Sequence, residues 1–315
     1  MQAVLLRPAL KEIVWGGNRL KNEFGYESDL NNIAEAWVVS AHPAGVSTAV
    51  GGKYDGMGLD EIVAAEPALV GEGFTGDFPL MVKFIDAARD LSIQVHPDDE
   101  YAAAHEGGYG KTEMWYVMAA EPGAFLYYGM KKDVTPEQFA AAIADGSVCE
   151  LLNRVECKPG DCFFIPAKTV HAIGAGLLIC EIQQSANITY RIFDYNRPGA
   201  DGKPRELHVQ KASEVSDLCA IVPDAAPQGA PETVDGLTKT LLRKCDRFTA
   251  VKCDCSAEAS DCDEGFALLS VLDGEAELIT AENTLKIKKG DGVFLPAGLG
   301  EYRIRGAVSY IKSTL

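Results

Sequence analysis

Histidine is scarce in this chain, five in 315 residues, and basic residues are outnumbered, 29 Lys and Arg against 46 Asp and Glu. A formal net charge of −17 excludes nucleic acid as an expected partner, because a phosphate backbone is bound by an excess of cations. It leaves open a small anionic ligand, which needs only a local convergence of two or three cations. No apolar run reaches the roughly 20 residues of a membrane span, and the first residues, MQAVLLRPALKEIVWGG, lack a signal-peptide layout. With nine cysteines, an odd number, reduced thiols in the cytoplasm are expected, with no membrane partner. The tightest cysteine group, Cys253, Cys255 and Cys262, has no paired C-x-x-C unit and no nearby histidine, so it reads as small strand residues rather than a metal site.

What is present is a series of short segments rich in Val, Ile, Phe and Tyr, bounded by Gly, Pro, Asp or Asn, which is the pattern of many strands. Glu113 to Met118, Phe163 to Ile165, Leu177 to Gln183, Ala267 to Leu272 and Gly292 to Leu295 are expected as strands. Helices are expected over Leu59 to Val70, Asp98 to His105 and Thr135 to Ala144, the last with Thr135 as N-cap and Pro136 in the first turn. The Pro, Ala and Gly-rich stretch 222–236 reads as a linker between residues 1–221 and 237–315.

An internal repeat stands out. Lys158 to His171, KPGDCFFIPAKTVH, aligns without gaps to Lys288 to Glu301, KKGDGVFLPAGLGE. Each copy has a Gly-Asp turn, an apolar strand and a Pro-Ala exit. The pattern resembles the second cupin motif, and cupins are small jelly-roll β-barrels. The resemblance implies a mainly β chain of two such barrels with helical insertions in the N-terminal half. Lys168 stands where the motif prefers Gly, so a different turn is expected there. The first copy keeps the motif's imidazole, His171, and the second has Glu301, so the second barrel is expected to carry no metal.

Gln94 and His96 alternate onto one face of a short strand, and Lys111 and Glu113 share a face beyond the Gly-rich 107–110. Gln94, His96, Glu113 and His171 would give two imidazoles, a carboxylate and an amide oxygen, a donor set suited to zinc or another borderline divalent ion. Each residue alone also fits an ordinary structural role. His42, His105 and His208 are read as non-ligands. Between Glu181 and Tyr195 the polar residues Gln183, Ser185, Asn187, Thr189 and Arg191 alternate as on one face of a strand. That face is either solvated or lines a polyol pocket, with Arg191 as a fixed cation.

Seven segments resemble the type I mannose-6-phosphate isomerases of the short bacterial class. They are Trp15-Gly-Gly-Asn-Arg-Leu, Ser40-Ala-His-Pro, Phe78 to Asp86, Leu91 to Asp99, Gly110 to Tyr116, Val170 to Gly174 and Ile188 to Tyr195, in the family's order. Ala34-Glu-Ala-Trp37 departs from the family's Gly-Glu-Ser-Trp. The resemblance implies one zinc per chain on His96, Glu113, His171 and Gln94, a catalytic Arg191, and substrate contacts from Lys83, Ser92, Lys111 and Asp194. The implied reaction is reversible isomerisation of mannose 6-phosphate and fructose 6-phosphate through an enediol. An iron-dependent cupin oxygenase and a non-catalytic sugar-phosphate sensor are the competing expectations.

Overall fold

The strand Leu177–Gln184 is buried at all eight positions, which its sequence, LLICEIQQ, can satisfy only between two packed layers. Its even face, Leu178, Cys180 and Ile182, joins one apolar cluster, and its odd face, Leu177 and Ile179, joins another. In the computed structural model, which describes residues 1–199 and 202–315, this strand lies inside a six-stranded sheet. The order there is Cys162–Ile165, Glu113–Ala120, Leu177–Gln184, Leu80–Ala87, Glu35–Val39 and Ala9–Lys11.

On the odd face lies a five-stranded sheet, ordered Tyr190–Phe193, Ile93–Val95, His171–Ile173, Phe125–Met130 and Leu152–Glu156. Ile85, Trp115 and Ile179 of the first sheet pack on Leu126, Tyr128 and Ile173 of the second. The helices Pro136–Asp145 and Val209–Val215 cover the outer side of the five-stranded sheet through Phe139, Ala142, Ala212 and Val215. Thr135 caps the first of these by a capping box with Gln138, as its Thr-Pro-Glu-Gln start requires.

The third sheet has ten strands and is built mainly from the C-terminal part of the chain, yet Val4–Arg7 pairs antiparallel with Gly292–Leu295 and with Thr48–Val50. Its Leu242, Leu268, Phe294 and Ile311, with Phe248 from a turn between two of its strands, pack on Val82, Phe84, Met114 and Cys180. The stretch read as a linker runs beside it, with Glu232–Val234 paired to Leu237–Lys244.

The protein is mainly β, as expected. Three local expectations need correcting. The helix expected to Val70 ends at Ala65, and a 3₁₀ turn Pro67–Leu69 follows, because Pro67 cannot supply an interior N–H. The polar alternation 183–191 is not one strand: Gln183 lies in the six-stranded sheet and Arg191 in the five-stranded one. The turn at Lys168 is not different from its repeat: Lys168 and Gly298 both have φ 76°.

Candidate metal centre

Three strands of the two facing sheets bring the proposed ligands together. His171 and Gln94 are register partners in neighbouring strands, and Arg191 is the partner of Gln94 on its other side. His96 follows directly after the Gln94 strand, and Glu113 opens the facing strand opposite Ile165 and Gln183. His171 Nε2 lies 3.4 Å from Glu113 Oε1, His96 Nε2 lies 3.6 Å from Glu113 Oε2, and Gln94 Nε2 lies 3.4 Å from His171 Nε2. Donors bound at about 2.0–2.2 Å around a tetrahedral ion stand about 3.4 Å apart, so these separations fit zinc. Gln94 presents its amide nitrogen; a half-turn of the amide presents Oε1, as ligation requires.

The imidazoles are prepared for such a role. His96 Nδ1 faces the Ile188 carbonyl at 2.7 Å and His171 Nδ1 faces that of Thr169 at 2.8 Å, which fixes the proton on Nδ1 and leaves Nε2 as a lone-pair donor. Burial pushes the His171 pKa down to about 4 and His96 well below its usual value, so both are neutral. Burial and the Glu181 charge push Glu113 up. A divalent ion would reverse that direction. Neither Glu113 oxygen accepts a well-aligned hydrogen bond, although both are buried. Among the described residues, His96, Glu113 and His171 are the one group of three His, Cys, Asp or Glu arranged to hold a metal.

Beside the ligands runs an alternating ionic array. Lys111 Nζ is 2.6 Å from Glu113 Oε2 and 3.2 Å from His96 Nε2, and 3.8 Å from Glu181 Oε1. Lys83 Nζ is 3.3 Å from Glu181 Oε1 and 3.7 Å from Glu35 Oε2. Burial acts to lower the Lys111 pKa, but Glu113 and Glu181 outweigh it and the ammonium is held above its usual range. Glu181 is kept ionised by Lys111, Lys83 and the Trp115 indole N–H at 2.8 Å, against the opposing effect of burial. Sequence reasoning missed Glu181. Its signal was available, a single carboxylate in the middle of an apolar strand.

The remaining expected residues divide. Arg191 Nη1 donates to the Glu206 carbonyl at 2.9 Å, while its buried Nε has no protein partner. Ser92 is buried on the same alternation as Gln94 and His96. Asp194 has both oxygens occupied, by Arg197 and by Arg205 at 2.6–2.9 Å, two guanidiniums that sequence reasoning did not single out. Ala36, where the resembled family has Ser, is fully buried in the apolar cluster with Phe84 and faces away from the ligands. A cleft of about 1210 Å³ is lined by none of the proposed ligands, but its lining includes Ile188, whose carbonyl faces His96 Nδ1.

Known proteins resemble this chain along its whole length. Residues 4–125 match the catalytic domain of type I phosphomannose isomerase, and residues 238–315 match the mannose-6-phosphate isomerase cupin domain. Mannose-6-phosphate isomerase ManA of Bacillus subtilis is 41% identical over 316 residues, covering 100% of this chain and 99% of that protein. Mannose-6-phosphate isomerase of Streptococcus mutans is 37% identical over 313 residues, covering 99% and 98%. The crystal structure of the Bacillus subtilis mannose 6-phosphate isomerase superposes with TM-score 0.94 at 36% identity over 100% of both chains. A mannose 6-phosphate isomerase solved with zinc and yttrium shares the fold, with TM-score 0.76 at 19% identity, covering 100% and 99%. By its full-length likeness to these proteins, this chain belongs to the type I phosphomannose isomerase family.

Proposed function

We propose that this chain interconverts mannose 6-phosphate and fructose 6-phosphate through an enediol, with one zinc ion per chain on His96, Glu113, His171 and Gln94. The observation that carries this reading is the pair of neutral, Nδ1-anchored imidazoles facing one buried carboxylate at zinc-like spacing. Zinc would supply polarisation of the sugar carbonyl and stabilise charge on the neighbouring oxygen, without redox change. The chain's own residues do the rest. Arg191, beside Gln94, directs an unpartnered Nε–H toward substrate oxygen and is the catalytic guanidinium. Lys83 and Lys111, buried beside Glu181, supply fixed positive charge and donors inside an acidic protein. Ser92 binds substrate from the same strand, and Asp194 orients Arg197 and Arg205 toward an anionic group.

The same reading takes residues 1–221 as a catalytic jelly-roll barrel with helical insertions. Residues 222–236 are a linker, and 237–315 form a second barrel without metal, completed by the strand Val4–Arg7. Nine free cysteines support a reducing cytoplasmic setting. The test is a coupled assay of mannose 6-phosphate conversion on purified protein, repeated after chelation and zinc return. Turnover that is lost and restored is expected. Sugar-phosphate binding without turnover would replace the enzyme with a sensor, and oxygen uptake with bound iron would make it an oxygenase.

A further inference from the structure

The C-terminal part of the chain reaches the metal-site loop through one hairpin tip. Residues 245–248 join the strands Leu237–Lys244 and Thr249–Cys255. The Cys245 N–H donates to the Phe248 carbonyl at 3.0 Å and closes the turn. Phe248 is fully buried in the cluster that holds Phe84 and Met114, with its ring 6.5 Å from that of Phe164. The tip is therefore fixed against the catalytic half, and it presents Arg247, which pairs with Asp99 Oδ2.

Asp99 stands just after the ligand His96, and its second oxygen closes the loop that leads to the ligand Glu113. Asp99 Oδ1 accepts from the Gly110 N–H at 2.8 Å and from Gln184 Nε2 at 3.0 Å. Gln184 Oε1 in turn accepts from the Thr112 N–H at 2.9 Å, and the Lys111 N–H donates to the Pro97 carbonyl at 3.0 Å. Gly110 lies so close that a Cβ there would stand 2.4 Å from the Asp98 carbonyl carbon. Lys111 thus sits between two residues tethered to Asp99, directly or through Gln184. Arg247 is also the one cation lining a cleft of about 270 Å³ that it shares with Asp77, Asp99 and Asp246. Without it, three carboxylates share that seam uncompensated, and the repulsion bears on Asp99.

We propose that Arg247 is a positioning residue through which the C-terminal half, by way of Asp99, sets the 97–112 loop and so aims Lys111 beside Glu113. The kinetic part of this rests on the isomerase reading; the structural part does not. The pair is 50% and 33% exposed on its two side chains, which limits its worth to a factor of about two to five.

The experiment compares the full-length zinc-loaded protein with Arg247→Ala, Arg247→Lys, Asp99→Asn and the double variant Asp99→Asn/Arg247→Ala. It measures amide hydrogen exchange, metal content and steady-state kinetics. In Arg247→Ala the amides of residues 110–112 should exchange about two to five times faster, with zinc retained. The kcat should fall by a similar factor with KM unchanged. Arg247→Lys should recover most of both, and Arg247→Ala should add nothing once Asp99 is Asn. Unchanged exchange at 110–112, or effects of the two substitutions that simply add, would overturn the proposal. A parent without turnover whose 110–112 exchange still responds to Arg247 would sink the isomerase reading and leave the loop-setting role standing.

Discussion

His96 and His171 are buried neutral, and that makes the metal-free protein sensitive to acid in a direction that can be worked out. An unfolded chain takes up protons on both imidazoles as the pH drops below 6.5, whereas the native His171 resists to about 4 and His96 also lies well below 6.5. Their stabilisation is complete above 6.5 and is lost as the pH falls. Glu113 works the other way: raised from 4.5, its native carboxyl holds a proton that the unfolded one has released, so its contribution is lost as the pH rises. With two imidazoles against one carboxyl, acidification puts more protons on the unfolded chain than on the native one. The unfolding free energy of the metal-free protein should therefore drop on acidification from pH 6 to 5. Urea unfolding at the two pH values checks this, and a gain in stability on acidification would refute it. At Arg191 the expectation concerns shape rather than charge. Arg191→Lys keeps the cation but loses the planar fork and the unpartnered Nε–H, so kcat should fall about 10- to 100-fold. A parent-like kcat with only KM raised would reduce Arg191 to substrate binding. The proposed ligands were legible in the sequence because motif spacing marks imidazoles. Glu181 stood out only as a lone carboxylate in an apolar strand, because its partners Lys83 and Lys111 lie on other segments, and the pairing of Arg205 with Asp194 spans a loop that no local pattern marks.

Among the elements, the repeated turn shows how a motif survives a substitution that its geometry resists. Gly160 and Gly290 have φ 94° and 95°, and Asp161 and Asp291 each accept the N–H of the lysine three residues earlier, at 2.9 and 2.8 Å. At the exit, Lys168 holds the left-handed conformation that Gly298 adopts freely. The neighbours over-determine it: its N–H donates to the His96 carbonyl at 2.7 Å, its carbonyl accepts from Asp217, and its Nζ meets Asp98 at 3.0 Å. A Cβ in that conformation costs about 1 kcal/mol, so Lys168→Gly should be more stable than Lys168→Ala by about that amount. Both variants lack the ion pair, which isolates the backbone term. Equal melting temperatures for the two would mean the turn carries no strain. The repeat and the helix caps were readable in sequence because they are local. The break between Gln183 and Arg191 was not: Gln183 Nε2 bonds the carbonyls of Gln184 and Ala186 at 2.7 Å, ending the strand inside a polar alternation that mimics one.

For the whole molecule, the division suggested by the repeat and the linker meets a core that crosses it. Val4–Arg7 completes a sheet whose other strands come mostly from beyond residue 231, a pairing too distant in sequence for any local pattern to announce. Phe248, Leu268, Phe294 and Ile311 share one cluster with Phe84, Met114 and Cys180, so neither half can expose its face of that cluster cheaply. Each large side chain uncovered costs about 1.5–3 kcal/mol, and a handful of them would exhaust the 5–15 kcal/mol that stabilises a typical protein. The two halves should therefore unfold together. Phe248→Ala provides the test, because it removes a fully buried ring from the hairpin tip wedged beside Phe164, far from the proposed ligands in sequence. It should destabilise by about 3–5 kcal/mol. If the core is one unit, that loss appears as a downward shift of a single calorimetric transition, with aromatic fluorescence and circular dichroism still coincident. If the halves are thermodynamically separate, the variant's trace splits, the C-terminal part melts first, and zinc stays bound through the first step. That second pattern would confine the C-terminal half to a passive attachment, and coincident melting would make it part of the frame that holds the metal centre.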